Sequence, residues 1–161
     1  MRKSGRVLAM AAMAMLCCTT PAMAREKDPV SAIKGQITFL YYKDLPAAAQ
    51  FYERLLGKAP EPTPEWVRLF TLTPTSTVGL VDATGGALRP SEEKPVMVTI
   101  VVDGVRGVDR WYDRVRAQGI RIAEERKTTR LDAKRSIHAF MFNDPEGYRI
   151  EILSWVRTPQ S

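Results

Sequence analysis

Few side chains in this 161-residue chain are equipped for covalent or metal chemistry, and they are scattered. There is one histidine, His138, and there are two cysteines, Cys17 and Cys18, both close to the N-terminus. A Ser-His-Asp arrangement has no support, because nothing in the sequence aligns a serine and an acid with the lone histidine. His138 falls near the start of a strand pattern and reads as a strand-end or partly exposed histidine. The carboxylate in the most suggestive setting is Glu151, within Tyr148-Arg149-Ile150-Glu151-Ile152, where period two puts Arg149 and Glu151 on one strand face.

The cysteines belong to a leader. Arg2, Lys3 and Arg6 precede an uncharged apolar run, residues 7–18, and Ala22-Met23-Ala24 before Arg25 is a small-x-small cleavage site. The expectation is a cleaved signal peptide over residues 1–24 and a protein secreted across the cytoplasmic membrane, in the periplasm. A membrane anchor is the alternative, but the run is shorter than the ~20 residues a spanning helix needs. Lipid attachment at Cys17 or Cys18 is disfavoured because Leu16, not a small residue, precedes Cys17. Cleavage leaves residues 25–161, 137 residues, enough for one domain with a real core. It removes three cations and no acid, so the net charge falls from +6 to +3, 21 cations against 18 acids. That balance argues against a nucleic-acid partner. It also leaves no thiol, which excludes disulfides and a Cys/His nucleophile.

The rest of the chain repeats itself. A shift of 60 lays Phe51-Tyr52-Glu53-Arg54 onto Trp111-Tyr112-Asp113-Arg114 and residues 37–42 onto 97–102. A shift of 72 lays 69–81 onto 141–153, so the second copy carries twelve extra residues between its helix and its last two strands. Such a repeat is a supersecondary unit that buries its apolar face against its twin. The expected organisation is a short lead-in at 25–34 and one domain at 35–157. Within that domain module one is 35–83, a linker 84–95 and module two 96–157.

In module one, strands are expected at 36–42, 66–72 and 77–81. A helix begins at Asp44 and Pro46, carries the stripe Ala48, Phe51, Tyr52, Leu55 and Leu56, and stops at Gly57. Module two repeats the order: a strand at 96–102, a helix with the stripe Val105, Val108, Trp111, Tyr112 and Val115 stopping at Gly119, and strands at 120–123, 138–142 and 148–155. Asn143-Asp144-Pro145-Glu146-Gly147 reads as a turn. Each module is thus expected to be βαβββ.

Lys43-Asp44-Leu45-Pro46-Ala47-Ala48-Ala49-Gln50-Phe51-Tyr52 with Leu56-Gly57, and the ending Asn143-Asp144-Pro145-Glu146-Gly147-Tyr148-Arg149-Ile150-Glu151-Ile152, resemble the vicinal oxygen chelate superfamily. That superfamily includes glyoxalase I, extradiol dioxygenases and bleomycin-binding proteins. The resemblance implies an α+β fold, two tandem βαβββ modules whose mixed sheets curl around a shared cavity. It does not choose an activity. In the metal-using members four side chains at the cavity floor hold a divalent ion, and their positions fall on Ile37, Gly79, Met97 and Glu151. Only Glu151 is a ligand, and such ions need several N or O donors, so the expected cofactor is none and the expected metal residues are none. Many relatives form dimers, and the reading leans to a homodimer over a monomer.

The cavity face implied by period two carries Ile37, Phe39 and Tyr41; Met97, Thr99 and Val101; and Arg149, Glu151 and Leu153. The opposite parity, Leu40, Tyr42, Ile100, Val102, Ile150 and Ile152, is expected beneath the helices. Ile37, Phe39, Tyr41, Met97, Thr99, Arg149 and Glu151 are the candidate ligand-binding residues for a small, largely apolar or aromatic molecule. A hollow filled by its own side chains is the competing expectation. Glu151 is the candidate catalytic residue of an alternative, a lyase or isomerase of the glyoxalase type with or without a metal, in which desolvation suits it to accept a proton. An ion pair with Arg149 is its default role. Lys127, Arg130, Lys134 and Arg135, beside Arg126, read as a solvated loop, with a lid over an anionic ligand as the functional alternative.

Overall fold

Strand β1 (Gln36–Tyr42) alternates outward and inward side chains, and Leu40 and Tyr42 are buried while Ile37 and Phe39 are not. The computed structural model describes residues 33–85 and 87–157. The leader with Cys17 and Cys18 lies outside them. After β1 the chain turns into α1 (Leu45–Leu56) at the expected start: the Asp44 side chain accepts the Ala47 N–H at 2.9 Å, and Pro46 stands in the first turn, where no amide partner is lost. Gly57 ends the helix with φ of 70°, a left-handed conformation that glycine adopts without a Cβ penalty. Helix α2 (Gly104–Ala117) is capped by Gln118, one residue before the expected stop at Gly119. Of its stripe, Val108, Tyr112 and Val115 are buried, whereas Val105 is exposed.

The strands form two mixed sheets. In the first, β1 runs parallel to β3 (Ser76–Asp82), which is antiparallel to β2 (Val67–Thr73), in the order β1-β3-β2. In the second, β4 (Met97–Val101) runs parallel to β7 (Arg149–Arg157), followed antiparallel by β6 (Arg135–Asn143) and β5 (Ile122–Arg130). The pairing reproduces the repeat residue by residue. Phe39 opposes Gly79 and Leu69 opposes Gly79 in the first sheet; Thr99 opposes Glu151 and Met141 opposes Glu151 in the second. These are the same shifts of 60 and 72 that the sequence shows. The architecture is α+β, two modules each with its own mixed sheet and helix.

Two expectations need correction. Among the described residues module one contributes three strands, βαββ rather than βαβββ. Where its fourth would run, Pro60, Pro62 and Pro64 remove every second backbone donor, and the segment reaches β2 through two backbone bonds and no ladder, Glu61 N–H to Leu69 O at 2.8 Å and Val67 N–H to Pro64 O at 3.1 Å. The basic stretch is not a loop. Arg126, Lys127 and Arg130 lie on β5, Arg135 begins β6, and Asp132 holds the turn between them by accepting from the Lys134 and Arg135 amides. The twelve extra residues of module two therefore extend a β-hairpin. Its outer strand β5 is an edge covered in charge, which protects an unpaired edge from association.

One buried cluster joins the modules beneath the sheets. It contains Leu40, Tyr42, Tyr52, Leu55 and Phe70 from module one with Val108, Tyr112, Phe140, Phe142, Ile150 and Ile152 from module two. Each such side chain contributes about 1.5–3 kcal/mol through burial. Polar ties fix the modules' orientation. Arg114 on α2 donates to Leu55 O at 2.8 Å and Arg54 O at 3.0 Å, satisfying carbonyls at the end of α1. Asp144, buried in the turn after β6, accepts from the Tyr42 hydroxyl at 2.6 Å and the Tyr52 hydroxyl at 3.4 Å, and from the Glu146 and Tyr148 amides. The Tyr148 hydroxyl reaches back to Tyr41 O at 2.9 Å. The two motif stretches of the sequence thus meet as a structural clamp.

Candidate functional site

In module one the sheet face opposite the helix carries Ile37, Phe39 and Tyr41. Ile37 and Phe39 are 48 % and 47 % exposed, so this face is not closed by its own side chains. The Phe39 ring is held against Gly79: a Cβ built at residue 79 would sit 2.6 Å from Phe39 Cε1 and 3.1 Å from Leu69 Cδ2. Only glycine permits that approach. Phe39 and Tyr41, with Trp66, Val81, Gly85 and Ala87, line an apolar hollow of about 600 Å³.

In module two the equivalent face carries Met97, Thr99 and Val101 on β4 and Arg149, Glu151 and Leu153 on β7. Met97 is 46 % exposed, matching Ile37 at the equivalent repeat position. Glu151 is buried, and Thr99 donates its hydroxyl proton to Glu151 Oε2 at 2.8 Å. The expected ion pair between Arg149 and Glu151 is not formed. Arg149 turns to Glu124 on β5, Nη1 to Oε1 at 3.5 Å, and Lys127 approaches the other Glu124 oxygen at 3.5 Å. The reason is β5: its register slips twice, around Glu124, which swings that carboxylate across β6 to compete for the guanidinium. Beside Glu151 a smaller hollow of about 230 Å³ is lined by Glu124, Lys127, Ile137 and Met141 among others.

The structure brings Ile37, Phe39 and Tyr41 together on one sheet, and Met97, Thr99, Arg149 and Glu151 together on the other. Trp66, Val81 and Ala87 were not singled out by sequence because they lie at strand ends or in the linker. Glu124 was missed because β5 is expected from the sequence to end at residue 123, and for the same reason Lys127 is expected on a loop or lid and not on the strand. His138 is mid-strand, not strand-end, and 13 % exposed: it packs on the α2 side, with Nδ1 2.8 Å from the Thr128 hydroxyl and Nε2 3.9 Å from Asp109. It is thus remote in parity from the candidate face.

The family model for the glyoxalase/bleomycin resistance protein/dioxygenase superfamily matches residues 35–152. The chain belongs to this superfamily. Solved structures of the same fold include a glyoxalase/bleomycin resistance protein/dioxygenase from Nocardioides, 23% identical, with a TM-score of 0.64 over 83% of this chain and 92% of that one. A lactoylglutathione lyase from Agrobacterium tumefaciens is 23% identical, with a TM-score of 0.58 over 78% of this chain and 95% of that one. A glyoxalase/bleomycin resistance protein from Catenulispora acidiphila is 21% identical, with a TM-score of 0.57 over 78% and 98%. No curated protein is significantly similar in sequence.

The superfamily's metal positions can be tested against this geometry. Ile37, Gly79 and Met97 offer no N or O side-chain donor, and the space over Gly79 holds the Phe39 ring. Among the described residues no group of three or more His, Cys, Asp or Glu side chains could hold a metal ion. One carboxylate does not make a divalent site, so the residues present do not fit the ion.

The clamp beneath the face has its own electrostatics. Burial raises the Tyr42 and Tyr52 phenols far above the ordinary tyrosine range, Asp144 adding to both. Burial also raises the Asp144 carboxyl, against which the bonds from Tyr42 and from the Tyr148 and Glu146 amides act. Tyr42, Tyr52 and Asp144 are buried on the helix side, away from the candidate faces.

Proposed function

We propose that this superfamily member is an exported, metal-free protein that binds a small, largely apolar or aromatic molecule on its concave sheet faces. The observation that carries the reading is the aromatic hollow of module one, where Phe39 lies on Gly79 and Trp66 and Tyr41 complete an apolar wall. A pocket of this size with few polar groups suits a compact apolar ligand. Export is supported by the charged leader, the apolar run and Ala22-Met23-Ala24. A homodimer is supported by the apolar side chains left exposed on the same faces, including Val101 and Trp155.

The test is titration of the mature protein with 1-naphthol, followed by calorimetry and by tryptophan fluorescence. Saturable binding that weakens at least tenfold in Trp66→Ala and Phe39→Ala is expected. No binding at millimolar ligand, or binding indifferent to both substitutions, overturns the reading. Mass measurement of the exported protein tests the leader. A chain beginning at Arg25 is expected, and one retaining Cys17 or Cys18 contradicts it.

A further inference from the structure

We infer that the hollow beside Glu151 receives a protonated amine, so that the ligand is an amphipathic monoamine. This rests on the small-molecule reading above and gives it a chemical class. Glu151 is 5 % exposed, yet among the described residues it makes one hydrogen bond, from Thr99 to Oε2, and no ion pair. Its second oxygen has no protein donor and the side chain lines the hollow. A carboxylate only accepts hydrogen bonds, and buried charges are ordinarily paired. That oxygen is not sealed from solvent, since among the described residues only His138 Nε2 is both buried and without a partner; it opens on the hollow, where the donor of a bound cation can take the place of water.

Neighbouring cations do not supply it. Arg149 and Lys127 are both committed to Glu124, and Arg126 to Asp109. Glu124, Glu125 and Glu151 stand against Lys127 and Arg149, so the surroundings of the hollow carry one uncompensated negative charge. Glu125 is itself engaged, accepting the Tyr112 hydroxyl at 2.6 Å. One monovalent cation with N–H donors matches both the charge and the open acceptor. The hollow, at about 230 Å³, admits a small head group and not a bulky one. The apolar remainder of such a ligand meets Met97 and Val101, which flank Thr99 on the same face and are exposed. The double bulge of β5 opposite Met141 and Ala139 shapes the wall that faces the head group.

The test compares phenethylamine, 2-phenylethanol and 3-phenylpropionate on the full mature protein by calorimetry at neutral pH and low salt. The amine is expected to bind at least tenfold more tightly than the alcohol, and the carboxylate most weakly. Glu151→Gln should abolish the preference for the amine over the alcohol. Methyl NMR of the wild type provides a readout independent of any variant: the amine should shift the Met141 and Met97 methyl signals. Equal affinity for amine and alcohol, or an amine preference that survives Glu151→Gln, overturns this inference and leaves the apolar-site reading intact. Failure of all three compounds to bind overturns this inference, whereas the apolar-site reading stands or falls with the 1-naphthol titration.

Discussion

Thr99 donates to Glu151 across 2.8 Å at the register position where, in module one, Phe39 covers Gly79. Two copies of one unit have thus taken the same pair of floor positions in opposite directions, one to a polar contact and the other to an aromatic one. Among the described residues the hydroxyl is the sole protein donor to a buried carboxylate. Thr99→Val keeps the shape and removes the donor, so it is expected to lower stability by about 1.5–3 kcal/mol. Urea denaturation checks this, and an unchanged midpoint would mean that water replaces the hydroxyl without cost.

The contact between Phe39 and Gly79 predicts coupling. Gly79→Ala forces its Cβ into the Phe39 ring and should cost about 1–3 kcal/mol. Phe39→Ala removes the obstacle, so in the double variant the alanine at 79 should be close to neutral. A double-mutant cycle by thermal or urea unfolding measures this. Additive effects would contradict the packing described.

The strand parity behind these positions was legible in the sequence, because a period of two and an ungapped repeat leave little freedom in register. The helices were legible too, since Asp44, Pro46 and Gly57 each favour one backbone state. Gly79 carried an unread signal: a glycine inside a strand marks a close approach, here by an aromatic ring. The partner of Arg149 was not legible. It depends on β5, whose run Ala123-Glu124-Glu125-Arg126-Lys127 has neither the apolar alternation nor the β-branched content by which strands are recognised, and which is held as a strand by pairing with β6. The strand missing from module one was readable in its prolines, yet the symmetry of the repeat argued for it.

The buried clamp predicts alkaline sensitivity. The Tyr42 and Tyr52 phenols are raised in the folded state, so each keeps its proton where the unfolded chain loses it. Their contribution is fully present below the unfolded value near 10.0 and is lost as pH rises above it. Each should cost about 1.4 kcal/mol per pH unit above that point. Tyr42→Phe should lower the slope by about 1.4 kcal/mol per pH unit, while weakening the fold at neutral pH by about 1.5–3 kcal/mol through the lost bond to Asp144. Urea midpoints between pH 7 and 11, with phenolate absorbance at 295 nm, check both effects.

The floor positions Ile37, Gly79 and Met97 leave a divalent ion the single carboxylate of Glu151, and elemental analysis of the mature protein tests this most directly, together with thermal unfolding in the presence and absence of EDTA. A ligand that binds the folded state raises its stability by mass action, so a resident metal would reveal itself in the melting temperature as well as in the composition. The prediction is no stoichiometric zinc, nickel, iron or manganese, and the same melting temperature with and without chelator. One equivalent of metal per chain, lost in Glu151→Gln and stabilising the wild type, would contradict it.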